Sequence, residues 1–186
     1  MNIVKISMLV FLLCVHSFAS ADETDIYSIL SDVSLLKDSW DVERVDYGLH
    51  FSSKEKTKNS KGQIISSITL DIEGPNSTPE NITIEDAVNS NVENILRSFP
   101  INQDFKPSHP LGNGIGAAIV DVNGQKVGFI EYEVQADRLI YARHCILLKE
   151  QRLYTFTMVF FDPEIDRKKG MALEVLVIAA VNSGKL

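Results

Sequence analysis

Cysteine is almost missing from this chain: two occur in 186 residues, Cys14 and Cys145. Too few remain for a disulfide framework, so the fold must rest on its core. Cations are also short, with 18 Lys and Arg against 25 Asp and Glu and a net charge of −7. An acidic chain has no general attraction for phosphate backbones, which argues against a nucleic-acid binder. No apolar run reaches the ~20 residues that span a bilayer. Familiar catalytic signatures are missing too: there is no G-x-S-x-G, Walker loop, H-E-x-x-H or paired C-x-x-C. Neither a cofactor nor a metal is therefore expected. What the chain does have, 45% hydrophobic and 23% charged residues, fits a packed globular protein.

The N-terminal segment has the layout of an export signal. A polar start with Lys5 is followed by the apolar run Met8–Val15 and the small-x-small tripeptide Ala19-Ser20-Ala21. Cleavage is expected between Ala21 and Asp22, with Met1–Ala21 removed and Asp22–Leu186 forming one α+β domain. Cys14 follows Leu12 and Leu13, which is not the small-residue setting of a lipid-attachment site. The mature chain carries 17 basic against 25 acidic residues and keeps only Cys145. The expected compartment is the bacterial periplasm or the exterior, with no stable membrane anchor. Asn76-Ser77-Thr78 and Asn81-Ile82-Thr83 match glycosylation acceptors, which would matter only in a eukaryotic source.

Periodicity then orders the mature chain. Thr24–Leu36 spaces its apolar residues as a short amphipathic helix. Trp40–Val45 and Tyr47–Ser52 read as strands, Lys54–Gly62 as a polar loop, and the β-branched stretch Gln63–Ile72 as another strand. Glu73–Asn81, with Gly74, Pro75 and Pro79, reads as a connection. Thr83 and Asp86 form a capping box before the stripe Ile84, Val88, Val92, Ile95 and Phe99, and Pro100 closes that helix. Pro100–Gly116 shows no period. Ala117–Val122, Gln125–Val134, Arg138–Lys149 and Leu153–Phe161 follow as a four-strand antiparallel meander. Asn123-Gly124 is its strongest turn signal, and Ala136-Asp137 and Glu150-Gln151 close the others. Asp162-Pro163-Glu164 begins a helix over Ile165–Asn182. Only Glu174 is polar between Met171 and Val181, so this helix, Leu176 included, is expected in the core.

The order of helix, strands, central helix, meander and apolar closing helix resembles the PsbP-like α/β/α sandwich superfamily over Trp40–Asn182. That superfamily includes the bacterial DcrB-like periplasmic proteins. The resemblance implies a non-enzymatic binding or accessory protein. It lies in topology, and a fold is not evidence for a site.

Candidate chemistry is sparse. Gly112-Asn113-Gly114-Ile115-Gly116 opens onto a strand, whereas a phosphate cradle needs a helix N-terminus. His144 and Cys145, adjacent on a strand, point to opposite faces and cannot couple readily. His50, His109 and His144 are too scattered to indicate zinc. Glu131 and Glu133 share a strand face, where a solvated or paired role is ordinary and a catalytic one exceptional. A hydrolase would need His109 joined to one of these acids in a cleft. A small-ligand carrier would need an apolar cavity between sheet and last helix. The favoured reading is an exported protein that binds another protein, in the form of an immunity protein against a periplasm-delivered toxin or a DcrB-like envelope factor. Its candidate surface is the loop with Phe105, Lys106, His109 and Leu111, extended by the basic cluster Lys54, Lys56, Lys58 and Lys61. Phe105 and Leu111 either anchor a partner or fold back as core plugs.

Intact-mass measurement of the exported protein should show a chain starting at Asp22. A lipid on Cys14, or an uncleaved chain, would overturn this reading of the first 21 residues.

Overall fold

A computed structural model describes residues 38–122, 124–162 and 167–182. The segment expected to be an export signal and the helix expected over Thr24–Leu36 lie outside them. Ten strands form: β1 (Trp40–Val45), β2 (Gly48–Ser53), β3 (Lys56–Lys58), β4 (Ile64–Ser66), β5 (Ile68–Ser77), β6 (Pro110–Gly112), β7 (Ile115–Val122), β8 (Gln125–Gln135), β9 (Leu139–Lys149) and β10 (Arg152–Phe160). Among the described residues two whole helices accompany them, α1 (Ile84–Ser98) and α2 (Arg167–Asn182). Eight strands make one antiparallel sheet in the order β1-β2-β5-β10-β9-β8-β7-β6, while β3 and β4 pair separately. The architecture is α+β, as the periodicity requires.

Strand alternation gives the sheet two faces. One carries Leu49, Phe51, Leu70, Phe156, Met158, Cys145 and Leu147, packed with Leu173 and Ile178 of α2. The other carries Ile115, Ile130, Tyr132, Ala142 and Ile146 beneath Ile84, Ala87, Val88 and Ile95 of α1. The capping box forms: Asp86 N–H donates to Thr83 Oγ1 at 3.1 Å, and Thr83 N–H donates to Asp86 Oδ2 at 3.1 Å. Gly128 brings α1 close, because a Cβ there would overlap the Val88 side chain.

Several elements differ from the sequence reading. Within the polar loop Lys54–Gly62, Lys56–Lys58 forms β3, so Lys56, Lys58 and Lys61 decorate a hairpin that Lys54 precedes. The strand expected over Gln63–Ile72 breaks at Ser67, where the chain leaves that hairpin for the main sheet. Gly74 and Pro75 do not end β5. Thr155 pairs with Glu73 and Leu153 with Asn76, leaving Gly74 and Pro75 opposite Tyr154 in a bulge. Such a bulge accommodates both a positive φ, 114° at Gly74, and a missing N–H. The Pro100–Gly116 run contains β6 and the start of β7. The β9–β10 turn uses Glu150 and Gln151 at φ of 50° and 61°, the left-handed pair of a tight hairpin.

The last helix departs most from expectation. Its expected start over 163–166 lies outside the described residues, and along Arg167–Asn182 the apolar run is not uniformly buried: Leu173 is 2% exposed, but Val175 is 62% and Leu176 40%. Its one polar residue in that run, Glu174, is buried. The apolar run reflects one face on the core and another facing outward.

Stability should follow these positions. Ile95→Ala and Leu173→Ala should each cost about 2–5 kcal/mol in denaturant melts, as buried large-to-small changes do. Leu176→Ala, only partly covered, should cost less than about 1 kcal/mol, and Lys56→Ala under about 0.5 kcal/mol. Equal losses for Leu173→Ala and Leu176→Ala would overturn this assignment of the helix faces.

Candidate functional site

The segment after α1 crosses from one sheet face to the other around the end of β8. Gln135 N–H donates to the Pro100 carbonyl at 2.7 Å and Asn102 N–H to the Glu133 carbonyl at 2.8 Å. The Asn102 side-chain amide donates to Glu133 Oε2 at 3.0 Å. Ser108 N–H donates to Glu131 Oε1, and the Tyr141 hydroxyl donates to Glu131 Oε2 at 3.1 Å. Phe105 meets the edge of Tyr141, ring centroids 5.8 Å apart. Ala117 N–H then bonds the His109 carbonyl at 2.9 Å.

This arrangement answers several sequence questions. Glu131 and Glu133 are fasteners for the loop, each holding it through a carboxylate. Phe105 packs against the core. Lys106 and His109 are exposed, as is Leu111, 60% accessible on β6. The glycine-rich stretch serves close approach: a Cβ at Gly114 would strike the Asn102 carbonyl, and one at Gly116 the Pro107 ring. The lysines sit elsewhere. Their hairpin joins β2 to β5, and β10 and β9 separate β5 from the strands that hold the loop. Lys56 Nζ donates to the Ser53 carbonyl at 3.1 Å and to Ser66 Oγ at 3.0 Å.

Beside the loop lies a cleft of about 190 Å³, lined by Ser108, His109, Gly116, Ala117, Ala118, Val120, Phe129, Glu131 and Arg143. His109 and Glu131 share it, but among the described residues both Glu131 oxygens already accept other bonds. Its cation is Arg143, whose guanidinium lies 4.3 Å from the Phe129 ring centroid and bonds Glu174 Oε2 at 3.0 Å. Burial pushes the Glu174 carboxyl up, against the opposing pull of Arg143. Sequence reasoning missed this pair. The signal was present, because an acid inside an apolar helical run needs a buried cation.

The opposite face holds a second polar arrangement. One transverse row runs Glu43, His50, Asp71, Thr157 and His144 across β1, β2, β5, β10 and β9. His50 Nδ1 lies 2.6 Å from Asp71 Oδ1, and that hydrogen bond raises its pKa. His144 sits between Tyr132 Oη at 2.9 Å and Thr157 Oγ1 at 3.4 Å. Burial pulls His144 down to about 4 and raises the Tyr132 phenol. Cys145 points to the other face, and burial raises its thiol, the opposite of an activated nucleophile. Among the described residues no group of three or more His, Cys, Asp or Glu could hold a metal.

No protein-family model and no curated protein matches the chain. Among solved structures, PA94 of Pseudomonas aeruginosa, a protein of unknown function, is similar at a TM-score of 0.44 and 9% identity. The match covers 74% of this chain and 94% of that one. A likeness this distant carries no functional argument.

The two histidines should give stability a maximum in pH. Below the ordinary value of 6.5 the unfolded chain protonates His144 while the folded chain resists, so stability falls toward pH 4. The raised His50 acts oppositely: its contribution is present below 6.5 and lost as pH rises through its folded pKa. In denaturant melts over this range, His144→Gln should flatten the acid limb and His50→Gln the alkaline one. Unchanged limbs in both variants would overturn these assignments.

Proposed function

We propose that this chain is an exported, non-catalytic accessory protein of the PsbP-like sandwich type that binds another protein at the 100–116 loop and its cleft. The observation that carries the reading is the clamp: Glu131 and Glu133 hold the loop on the sheet, with Lys106, His109 and Leu111 outward. A loop already ordered loses less entropy when it meets a partner, so the clamp favours binding. The buried, neutral His144 and the shielded Cys145 are spent on packing, which also supports binding over catalysis. A hydrolytic use of His109 gains little support, because Glu131 serves the loop. The carrier reading gains little as well, since a cleft of about 190 Å³ is smaller than ordinary ligand pockets. Phe105 belongs with the core plugs, which leaves Leu111 as the apolar anchor.

Among the described residues no helix is long and apolar enough to cross a membrane. Within the proposal, the partner is a toxin neutralised in the periplasm or a component of the cell envelope. A photo-crosslinking residue at position 109, compared with one at Glu93 on the exposed side of α1, tests it in cells. Discrete protein adducts at 109 and none at 93 are expected. Adducts at neither position, or the same set at both, would overturn the assignment of this surface.

A further inference from the structure

Every open sheet has two edges, and exposed backbone there invites unwanted pairing unless it is blunted. Here β1 at one edge carries the exposed charges Asp41, Glu43 and Arg44. At the other, β6 is three residues long, contains Pro110 and has an irregular register against β7. But β6 covers only the first part of β7, pairing with Ile115 and Gly116. One further bond, from Ala117 N–H to the His109 carbonyl, ends the coverage.

Alternate residues of a strand address the same neighbour. Since Ala117 donates outward, Ile119 and Asp121 direct their N–H and C=O outward as well. Among the described residues no strand pairs with them. The side chains Ala118, Ile119 and Val120 carry no charge or proline, and Val120 is 37% exposed. On the α2 face, Ala118 and Val120 line the cleft beside Gly116, Phe129 and Arg143. Gly116 lies directly under Pro107, so the room above the strand opens at the small side chain of Ala118.

We propose that the outer edge of β7, Ala118–Val122, receives an extended segment of the partner protein as an added antiparallel or parallel strand. One side chain of that segment, seated opposite Ala118, enters the cleft over Phe129. This rests on the binding reading above and names its partner's form. The occupant follows from the chemistry: a row of outward N–H and C=O groups is complemented by another extended backbone, and the adjoining cleft selects one alternate side chain. Phe129 and Val120 give that cleft an apolar wall, so the seated side chain is apolar.

Random octapeptides displayed on phage and selected on the purified protein provide the probe. Selected peptides should place an apolar residue at one fixed position. Bound peptide should slow amide hydrogen exchange at Ile119 and Asp121. Ile119→Pro removes an outward N–H while leaving the bonds to β8, and should weaken binding about tenfold, the scale of one backbone hydrogen bond. Because that change also trims a half-buried side chain, Val120→Lys is the second variant, placing a charge at the cleft as natural edges do. It should weaken the same peptides by a similar factor, and it decides alone if Ile119→Pro fails to fold. Peptides that bind the wild type and Val120→Lys equally, or no enrichment at all, would overturn strand addition. Adducts at position 109 would then still support binding through the loop. Concentration-dependent dimers that protect Ile119 without peptide would overturn it too, by assigning the edge to a second copy of this chain.

Discussion

The ion pair between half-buried Arg143 and buried Glu174 ties the molecule together. Two charges removed from water are tolerated only when they meet each other in good geometry, so neither can shift without stranding its partner. The requirement is most acute for α2. Its apolar residues point both inward and outward, and hydrophobicity alone would permit several rotations of the helix on the sheet. Glu174 allows one. On the sheet side, Arg143 also lies over Phe129 and faces the cleft, while its neighbour in space, Tyr141, holds both Glu131 and Phe105. Helix rotation, loop attachment and cleft shape therefore depend on the same few side chains of β9.

The two faces of the sheet meet burial in different ways. On the α2 side, aromatic and aliphatic residues from β1 to β9 form a continuous apolar layer. On the α1 side, the helix covers β7 to β9, with Val88 drawn down onto Gly128. Beyond the helix the same face turns polar. Asp71 and Thr157 are buried there beside the half-buried His50, and the row ends in His144 under Tyr132. Proton affinity changes along this row with depth. His50 has a carboxylate partner that favours its charged form, whereas His144 has only hydroxyls and a dry setting.

Local signals in the sequence were legible where one rule acted alone. The Thr83–Asp86 box and the stripe from Ile84 to Phe99 mark α1 because capping and period agree. The meander was legible from alternation and from Glu150-Gln151, whereas the β8–β9 turn takes Arg138 as well as the expected Ala136-Asp137, and Asn123 lies outside the described residues. Reading failed where two rules conflicted. Lysines at every second position hid β3, since they resemble a solvated loop. Gly74 and Pro75 looked like a terminus because a bulge and a turn use the same residues. Glu174 counted as the exception in an apolar run, when it was the position that most needed a tertiary partner. For the site, Glu131 and Glu133 were recognised as a pair on one face, but their use depended on backbone N–H groups far along the chain. No spacing rule could supply that, and the Arg143–Glu174 pair was hidden for the same reason.

The strand order also governs when the fold can exist. Pairing of β5 with β10 joins Ile68 to Phe160, and β1 and β2 reach the rest of the sheet only through β5. Strands β1, β2 and β5 therefore have no strand of the remaining sheet to join until nearly the whole chain is available. Loop closure over that distance must precede any reward from contacts, which makes such pairings slow. At synthesis rates of about 5–20 residues per second, the early strands stay unpaired with β10 for several seconds. The layer under α2 therefore closes last, while α1 and the β7–β9 meander, near neighbours in sequence, can pair earlier.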